Sequence, residues 1–386
     1  MKKLVIIGGG HSHVEVLRQF GLNRLTGVDV TLVSPDRYTP YSGMLPGLVA
    51  GHYTFEQCHI DLQVLAQYAG ARLMLTRARA LDPSRCVVTL SDGSELGYDV
   101  ASIDVGSVPL AQGVPGVAVH AMVMKPVSGF LAAWEAVQAR ARAGELRSVA
   151  VVGGGAAGVE VLLAMQYRLT HLNLRLLPEF CLLTDTPQLL PQHALRVRAV
   201  LERSLARKCV TIHRATRVTR VEAHALTGCT VDGHEQRINA DAIVWVTGAA
   251  PPAWLESSGL ALNDIKFINI NKYLQSTDHT NVFAAGDCAT IAGAAYPKSG
   301  VYAVRQGPVL AANLRSAFSG APLVSYAPQK RALALISTGE CHAIASWGPL
   351  SFHGNWVWRW KDNIDQAFMA KYRNLPVQNG RRRYER

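Results

Sequence analysis

Two stretches of the chain join a short, continuous apolar run to a cluster of glycines. "KLVIIGGG" occupies residues 3–10 and "SVAVVGGG" occupies residues 148–155. An apolar run without alternation is typical of a parallel strand that is buried on both faces. The segments that follow, 11–21 and 158–169, can each form a helix. The pattern predicts two strand–turn–helix units in an α/β protein.

The glycines at both turns are spaced for a dinucleotide pyrophosphate. In the G-x-G-x-x-G fingerprint the backbone approaches the pyrophosphate, and the free N–H groups of the helix bind it. The second turn carries the complete set, Gly153, Gly155 and Gly158. In the first turn Gly8 and Gly10 fit, but His13 stands in the third position. Either this helix packs less closely on its strand, or the His13 side chain serves another purpose.

A carboxylate after the second strand of such a unit selects between the two pyridine nucleotides. The segment 180–185 reads as a strand that ends in Asp185, although the gap is longer than the usual spacing of about 20 residues. A carboxylate there favours the ribose hydroxyls of NADH over the phosphate of NADPH. In the first unit Ser34 occupies this position and Asp36 lies two residues beyond, so the ribose contact stays open.

A third segment, "TNVFAAGDCA" at 280–289, ends an apolar run in Gly286 and Asp287. A carboxylate there can meet a ligand at the carboxyl edge of the sheet. The alternative is an ordinary Gly-Asp turn.

The ordered motifs resemble the pyridine nucleotide-disulfide oxidoreductase superfamily, flavoproteins with two dinucleotide-binding domains, over roughly residues 1–320. The resemblance implies FAD at the first turn, NADH or NADPH at the second, and Asp287 on the ribityl chain of FAD. Segments 98–109 and 241–252 resemble the two crossover strands of the family. The expected cofactor contacts are Gly8, Gly10, His13, Ser34, Gly106, Gly286, Asp287, Gly300 and Ala303 for FAD, and Gly153, Gly155, Gly158, Asp185 and Gly248 for NAD(P)H.

The resemblance also implies the domain organisation. We expect two Rossmann-like dinucleotide-binding domains, the second inserted in the first, and a small C-terminal α+β domain. The expected boundaries are 1–112 and 250–320 for the FAD-binding domain, 113–249 for the NAD(P)H-binding domain, and 321–386 for the C-terminal domain.

The cysteines bear on which electron acceptor is used. Segment 38–54, where disulfide reductases of the superfamily carry a CxxxxC pair, has no cysteine, and only Cys288 and Cys341 lie near the segments that sulfide:quinone oxidoreductases use. The chain therefore resembles the type II NADH dehydrogenase branch, whose members pass electrons to quinones. Segments 39–53, 297–314 and 358–369 more closely resemble a subgroup associated with selenophosphate synthetase.

Three residues take catalytic roles by this resemblance. Glu160 would lie near the nicotinamide and the flavin, Lys298 near the pyrimidine edge of the flavin, and Gln306 in the quinone site. The first turn of the helix at 300–303 would direct N–H groups at the flavin. The alternatives are a solvated glutamate in a first helical turn and an exposed loop lysine. No metal site is expected, because His11 and His13 at i, i+2 do not face one ligand on a helix.

The C-terminal segment has a different composition. Segment 330–352 alternates as two strands around a "TGE" turn, and 355–376 reads as a helix. Apolar residues recur every fourth position in this helix, at Trp356, Trp360, Ile364, Phe368 and Tyr372. We expect the charged residues Arg359, Lys361, Asp362 and Asp365 on its other faces. The aromatic stripe suits a membrane interface, and the alternatives are packing on the protein's own core or in a homodimer.

Charge and composition limit the partners. The net charge is +11, and residues 355–386 hold eight Lys/Arg against three acids. No nucleic-acid-binding motif accompanies them, so an anionic membrane surface is the expected partner. The N-terminal apolar run is shorter than that of a secretory signal, which indicates a cytoplasmic protein, with a peripheral position on the inner membrane face as an option.

The sequence thus predicts an FAD-dependent oxidoreductase that transfers a hydride from NAD(P)H to FAD and electrons onward to a quinone-type acceptor. Two alternatives stay open. One is a soluble NAD(P)H-dependent reductase of a small selenium or sulfur acceptor, and the other is a non-enzymatic flavoprotein that senses NADH.

Overall fold

The structure is a computed structural model that describes residues 1–111, 113–294 and 296–376. The strands are β1 Lys2–Ile7, β2 Val28–Ser34, β3 Tyr38–Pro40, β4 His59–Asp61, β5 Arg72–Leu75, β6 Ala78–Asp82, β7 Val87–Leu90, β8 Glu95–Gly97, β9 Val100–Ile103, β10 Val108–Pro109, β11 Met122–Val123, β12 Ser148–Val152, β13 Glu179–Leu183, β14 Thr211–His213, β15 Thr216–Glu222, β16 Ala225–Thr230, β17 Glu235–Asn239, β18 Ala242–Trp245, β19 Ala249–Ala250, β20 Ile268–Ile270, β21 Val282–Ala284, β22 Ala289–Ile291, β23 Ala334–Ser337, β24 Ala343–Trp347 and β25 Leu350–Gly354. The helices are α1 His11–Leu22, α2 Leu45–Ala50, α3 Phe55–Cys58, α4 Leu62–Ala69, α5 Val117–His120, α6 Val127–Ala143, α7 Ala156–Thr170, α8 Leu195–Arg207, α9 Gly300–Ser319 and α10 Asn355–Arg373, with 3-10 turns at Ser42–Met44, Ala253–Ser257 and Gly286–Cys288.

The first glycine turn follows the central strand of a five-stranded parallel sheet. The strand order is β21-β9-β1-β2-β5, and each neighbouring pair is parallel. The apolar residues of β1 are buried on both faces, as the uninterrupted run predicts. Helices α4 and α9 pack on α1. The first glycine turn therefore opens at the carboxyl edge of the sheet, where ligands of open α/β sheets bind.

A second parallel sheet repeats this arrangement, with the order β11-β18-β12-β13-β14. Its central strand β12 leads into the second glycine turn and α7. The chain leaves the first sheet after β9, builds the second sheet, and returns to the first at β21. Smaller antiparallel sheets, β6-β7-β8 and β15-β16-β17, accompany the two parallel ones. The predicted fold class, with one Rossmann-like unit inserted in another, is confirmed.

The C-terminal segment, as far as residue 376, forms one antiparallel sheet and one helix. Its sheet has the order β23-β24-β25, so the prediction of two strands is one strand short. The missing strand, β25, begins after the turn at Gly348. Ile336 and Ile344 of this sheet belong to the core around the second sheet, whereas Met369 of α10 belongs to the core around the first. The C-terminal unit thus contributes to the cores of both Rossmann-like units.

The aromatic stripe of α10 divides between two environments. Trp356, Trp360 and Ile364 are 55%, 39% and 41% exposed, whereas Phe368 and Tyr372 are buried against the first core. Each of the two alternatives, an exposed interface and packing on the protein's own core, therefore describes one half of the helix. No described helix is long and apolar enough to cross a bilayer. The cluster of arginines at 381–383 lies outside the described residues.

The sequence places Lys361 and Asp365 off the aromatic stripe of α10 and does not predict their exposure. In the structure both side chains are buried and form an ion pair with 2.6 Å between Nζ and Oδ2. Lys361 also donates to the carbonyl oxygen of Gly43. The two residues are four positions apart, a spacing that is typical of ion pairs on an exposed helix face. Here the ion pair is buried, because Gly43 and Tyr41 cover this side of α10.

Candidate functional site

A cavity of about 2660 Å³ lies between the two parallel sheets and the C-terminal unit. This volume exceeds the roughly 300–1,000 Å³ of a drug-sized ligand site, so the cavity has room for more than one ligand of that size. Fourteen of the predicted site residues line it: Gly8, Gly10, Ser34, Gly106, Gly153, Gly155, Gly158, Glu160, Asp185, Gly248, Asp287, Lys298, Gly300 and Ala303. Three predicted residues, His13, Gly286 and Gln306, lie outside the wall that the described residues form.

The second glycine turn has the geometry that a pyrophosphate cradle needs. Gly153 has φ +132°, and a Cβ there would lie 2.1 Å from the carbonyl oxygen of Val246. A Cβ at Gly158 would lie 2.0 Å from the carbonyl oxygen of Gly153, so this glycine allows α7 to pack tightly on the turn. The position of a Cβ at Gly155 is open, because nothing lies within 4 Å. The residues present fit a dinucleotide here.

His13 gives the first turn a different construction. Its ring is fully buried, with Nδ1 2.6 Å from the carbonyl oxygen of Gly8 and Nε2 2.8 Å from Oγ of Ser102. Burial lowers the pKa of His13 to about 4, so the ring is neutral at pH 7. The histidine in the third glycine position therefore connects the glycine turn, at Gly8, to strand β9, at Ser102, through its two ring nitrogens. The ring of His13 lies outside the described cavity wall, and the expected cofactor contact of His13 stays a prediction.

The two positions expected to bind ribose differ in exposure. Asp185 is exposed on the cavity wall, after the end of β13. Ser34 is buried, and its hydroxyl donates to the carbonyl oxygen of Asp36 at 2.9 Å. Asp36 itself also lines the cavity. The Ser34 hydroxyl thus stabilises the turn before Asp36. At this position after β2, the carboxylate on the cavity wall belongs to Asp36.

Asp287 belongs to a polar cluster with Ser107 and Lys125, where the two units meet. Its Oδ2 accepts from Lys125 Nζ at 3.2 Å and from Ser107 Oγ at 3.3 Å. Lys125 comes from the inserted unit, just before α6, so the ion pair joins the two dinucleotide-binding units. Its partly buried setting on the cavity wall fits a carboxylate that contacts a ligand hydroxyl.

Gln306 stabilises the turn at Gly286 and lies outside the described cavity wall. It is fully buried in α9, and its Oε1 accepts the backbone N–H of Gly286 at 2.7 Å. This hydrogen bond fixes the turn that carries Asp287. Ala303 and Gly300, about one and two turns earlier in α9, line the cavity, and the expected contact of Gln306 with a quinone stays a prediction.

Lys298 lies partly buried on the wall beside α9. Its ammonium donates to Oγ1 of Thr290 at 2.6 Å and to the carbonyl oxygen of Ala289, and it lies 4.3 Å above the Phe267 ring. Burial lowers its pKa to about 8. The side chain is thus held in place, unlike a free loop lysine, and it can present a positive charge to the cavity.

Glu160 joins the second unit to the C-terminal sheet. Its Oε1 accepts the backbone N–H of Ser337 at 2.8 Å. Burial raises the pKa of Glu160 to about 7, and nearby Lys361 works in the opposite direction. A carboxyl with this pKa can hold or release a proton at neutral pH. The alternative of a solvated first-turn glutamate does not fit this environment.

Sequence reasoning missed three residues of the site. Asp104 is a buried carboxylate on the wall, directly after β9, and Lys361 and Asp365 lie behind Glu160. A signal for Asp104 was present, since it is an acid at the carboxyl end of a buried apolar strand. For the other two no local signal exists, because contacts from distant segments bury them.

Two parallel Rossmann-like sheets whose glycine turns face one cavity define a class, the oxidoreductases that hold two dinucleotides. The model of the pyridine nucleotide-disulphide oxidoreductase family matches residues 2–307. The chain therefore belongs to this family of NAD(P)H-dependent FAD oxidoreductases.

Two relatives and two solved structures illustrate the range of the family. The NADH dehydrogenase-like protein YutJ of Bacillus subtilis is 24% identical over 296 residues, which cover 75% of this chain and 78% of the relative. A type II NADH:quinone oxidoreductase of Haemophilus influenzae is 30% identical over 190 residues, which cover 46% of this chain and 42% of the relative.

The fold is shared with NDH2 of Plasmodium falciparum in complex with NADH, at a TM-score of 0.81 and 15% identity, over 98% of this chain and 100% of that one. It is also shared with the sulfide:quinone oxidoreductase of Aquifex aeolicus, at a TM-score of 0.80 and 20% identity, over 98% of this chain and 92% of that one. The narrower resemblance to a subgroup associated with selenophosphate synthetase stays a prediction.

Proposed function

We propose that the protein is an NADH:quinone oxidoreductase of the type II NADH dehydrogenase kind. The observation that carries the proposal is the position of Glu160, a proton-holding carboxyl that lines the same cavity as both glycine turns and bonds to the C-terminal sheet. The relatives named for NADH dehydrogenase and NADH:quinone activity support the same class.

The two units would each hold one nucleotide, with FAD in the unit formed by residues 1–112 and 250–320 and NADH in 113–249. FAD supplies the two-electron redox chemistry when it is bound. The N–H groups at the starts of α1 and α7 bind the pyrophosphates, and Asp185 binds the ribose hydroxyls of NADH. Asp287 binds hydroxyl groups of FAD, and Lys298 places its positive charge where anionic character develops during reduction.

The overall reaction, NADH + H⁺ + quinone → NAD⁺ + quinol, consumes a proton from the surroundings. Glu160 would hold that proton within the cavity, because its pKa lies near the working pH. The buried Lys361–Asp365 pair acts through Glu160, since the charge of Lys361 lowers the pKa of Glu160 and the charge of Asp365 raises it. We therefore treat this pair as positioning residues.

The C-terminal wall of the cavity suits an apolar, ring-shaped acceptor. Leu333, Leu335, Ile364 and Phe368 line it, and none of the described lining residues is a cysteine. Thiol exchange within the cavity is thus not supported by the described residues. The apolar side chains of this wall suit the ring of a quinone, whereas Lys330, Arg331 and Lys371 on the same cavity wall supply donors that an anionic acceptor would use.

A membrane surface would supply the quinone. Six large apolar side chains of β24, β25 and α10 form an exposed aromatic surface: Trp347, Leu350, Phe352, Trp356, Trp360 and Ile364. Ile364 also lines the cavity, so the aromatic surface and the acceptor wall meet. Tryptophans beside basic residues such as Arg359 favour the membrane interface. We propose a peripheral position on an anionic membrane.

The test is an anaerobic titration followed in the visible spectrum. The purified protein should show a flavin band that NADH bleaches and that a short-chain quinone restores within seconds. The control is G155V: the site of its Cβ is open, so the valine fits sterically but fills the pyrophosphate cradle. This variant should keep the flavin band and lose bleaching.

The alternatives give different results. Bleaching without recovery by quinone, but with recovery by a selenium or sulfur compound, would support a small-acceptor reductase. Slow recovery with every acceptor would support a sensor. A protein without a flavin band after incubation with FAD would overturn the proposal.

A further inference from the structure

Asp104 places a carboxylate at the start of α1. The residue is 2% exposed, and its Oδ2 accepts the backbone N–H groups of Ser12 at 2.8 Å and His13 at 3.3 Å. It also lines the cavity beside Gly8 and Gly10. A Cβ on Gly10 would lie 2.3 Å from its carboxyl group, so the side chain fills the space inside the first glycine turn.

These N–H groups are of the kind that a pyrophosphate uses. The first turn of a helix offers unpaired N–H donors and a positive partial charge, and dinucleotide-binding folds put the pyrophosphate there. In this chain an ionised Asp104 would compete for those donors and repel the anion. A protonated Asp104 would be neutral, and its O–H could donate to a phosphate oxygen.

We propose that Asp104 takes up one proton from solvent when FAD binds, so that this carboxyl couples cofactor affinity to pH. The inference rests on the proposed FAD site in the first unit. It assigns Asp104 as a positioning residue for the pyrophosphate and, through it, for the cofactor as a whole.

The surroundings favour the neutral form of Asp104. Burial raises its pKa to about 7, the N–H groups of Ser12 and His13 oppose this, and the negative charge of Asp287 adds to it. Other charged or titratable groups near this cluster are His13, which is neutral at pH 7, Cys288, whose thiol has a raised pKa of about 12, and the Lys125 partner of Asp287. His11, next in the turn, is also neutral because burial lowers its pKa to about 4. No described cation forms an ion pair with Asp104.

The sign of the pH effect follows from linkage. An approaching pyrophosphate raises the pKa of Asp104 further, because it brings negative charge to the same donors. Below pH 7 the carboxyl is already protonated and the affinity is constant. Above pH 7 each bound FAD takes up one proton, and the dissociation constant rises up to tenfold per pH unit.

The test uses the protein with its flavin. Holoprotein is diluted to nanomolar concentration between pH 6 and 9, and the recovery of free-flavin fluorescence gives the dissociation constant. The wild type should lose affinity above pH 7, whereas D104N, which stays neutral, should show a flat profile and bind FAD more tightly at pH 9.

The control is D61N. Asp61 likewise accepts two backbone N–H groups, of Gln63 and Val64, at the start of a helix, but it lies outside the cavity wall. D61N should keep the wild-type pH profile. If D104N does not fold, the wild type still tests the proposal. FAD is added back to the wild-type apoprotein in a weakly buffered solution, and the rise in pH measures whether one proton is taken up per FAD bound.

The outcomes separate the two proposals. FAD that binds with a pH-independent constant and no proton uptake would overturn the role of Asp104 and leave the proposed function standing. A protein that binds no FAD at any pH would overturn both.

Discussion

Oε1 of Glu160 accepts the backbone N–H of Ser337 at 2.8 Å, across 177 positions of the chain. This hydrogen bond connects the helix after the second glycine turn to the edge strand β23 of the C-terminal sheet. A side chain that lines the cavity is therefore also bonded to the C-terminal unit, whose α10 packs on the core of the first sheet. One titratable group thus connects two walls of the cavity.

The first prediction concerns the pH dependence of turnover. The pKa of Glu160 is raised to about 7, so the fraction that holds a proton falls as pH rises above 7. We expect kcat with NADH and a short-chain quinone to fall over the same range. E160Q should lower kcat by about 10²-fold and remove this pH dependence. E135Q, which changes an exposed glutamate, is the control, and an unchanged profile in E160Q would rule out the proton role.

The second prediction concerns nucleotide choice. Asp185 is exposed on the cavity wall at the end of a strand of the second sheet, where a carboxylate repels the extra phosphate of NADPH. D185S should raise the ratio of kcat/KM for NADPH over NADH at least tenfold. Initial rates with both nucleotides measure it, while KM for quinone stays constant. An unchanged ratio would assign ribose binding to another residue.

The third prediction concerns the buried ion pair of α10. K361M leaves the Asp365 carboxylate buried without its partner, which costs about 3–5 kcal/mol of unfolding free energy. The double variant K361M/D365L should regain most of this loss, because no uncompensated charge remains. Urea denaturation measures both. The exposed pair Arg85–Glu95 is the control, and R85M should cost less than about 1 kcal/mol. Equal losses in the single and double variants would contradict the argument.

The fourth prediction concerns acid stability. Burial lowers the pKa of His13 to about 4 in the folded protein from its ordinary value of 6.5, so its contribution to stability is present above pH 6.5 and is lost as pH falls toward 4. The expected loss is about 3 kcal/mol, and His11 adds one of similar direction. H13Q should therefore lose stability less steeply between pH 6.5 and 4. Thermal melts measure the slope, and H234Q, at an exposed histidine, should behave as the wild type.

The fifth prediction concerns the aromatic surface. W356S/W360S should reduce sedimentation with anionic phospholipid vesicles at least tenfold, because both indoles are exposed on α10. L176S/L177S removes two exposed apolar side chains of another region and is the control. Concentration-dependent dimerisation that the tryptophan variant abolishes, without vesicle binding in the wild type, would instead assign this surface to a second copy of the chain.

The elements that a local pattern defines were predictable. The strands β1 and β12, the helices α1, α7 and α9, and both glycine turns follow from uninterrupted apolar runs and glycine spacing. Most of the predicted site residues then reach one cavity, because parallel strands end at one edge of a sheet.

The remainder depends on contacts between distant segments. His13 departs from the glycine pattern in a way that only Ser102, 89 positions away, explains. Lys361 and Asp365 have the spacing of an exposed pair, and only the loop at Gly43 shows that they are buried. Burial of charge by a distant segment leaves no periodic signal in the sequence.

The insertion of one unit into another has a consequence for synthesis. Strand β9 ends at Ile103, and its parallel neighbour β21 begins at Val282. A ribosome that adds roughly 5–20 residues per second needs about 10–35 s for the intervening stretch of the chain. During that time the inserted sheet can close, whereas the first sheet exposes one edge of β9 to other chains. All strands of the inserted sheet are therefore synthesised before the first sheet receives its last strand, although the first glycine turn comes earlier in the chain.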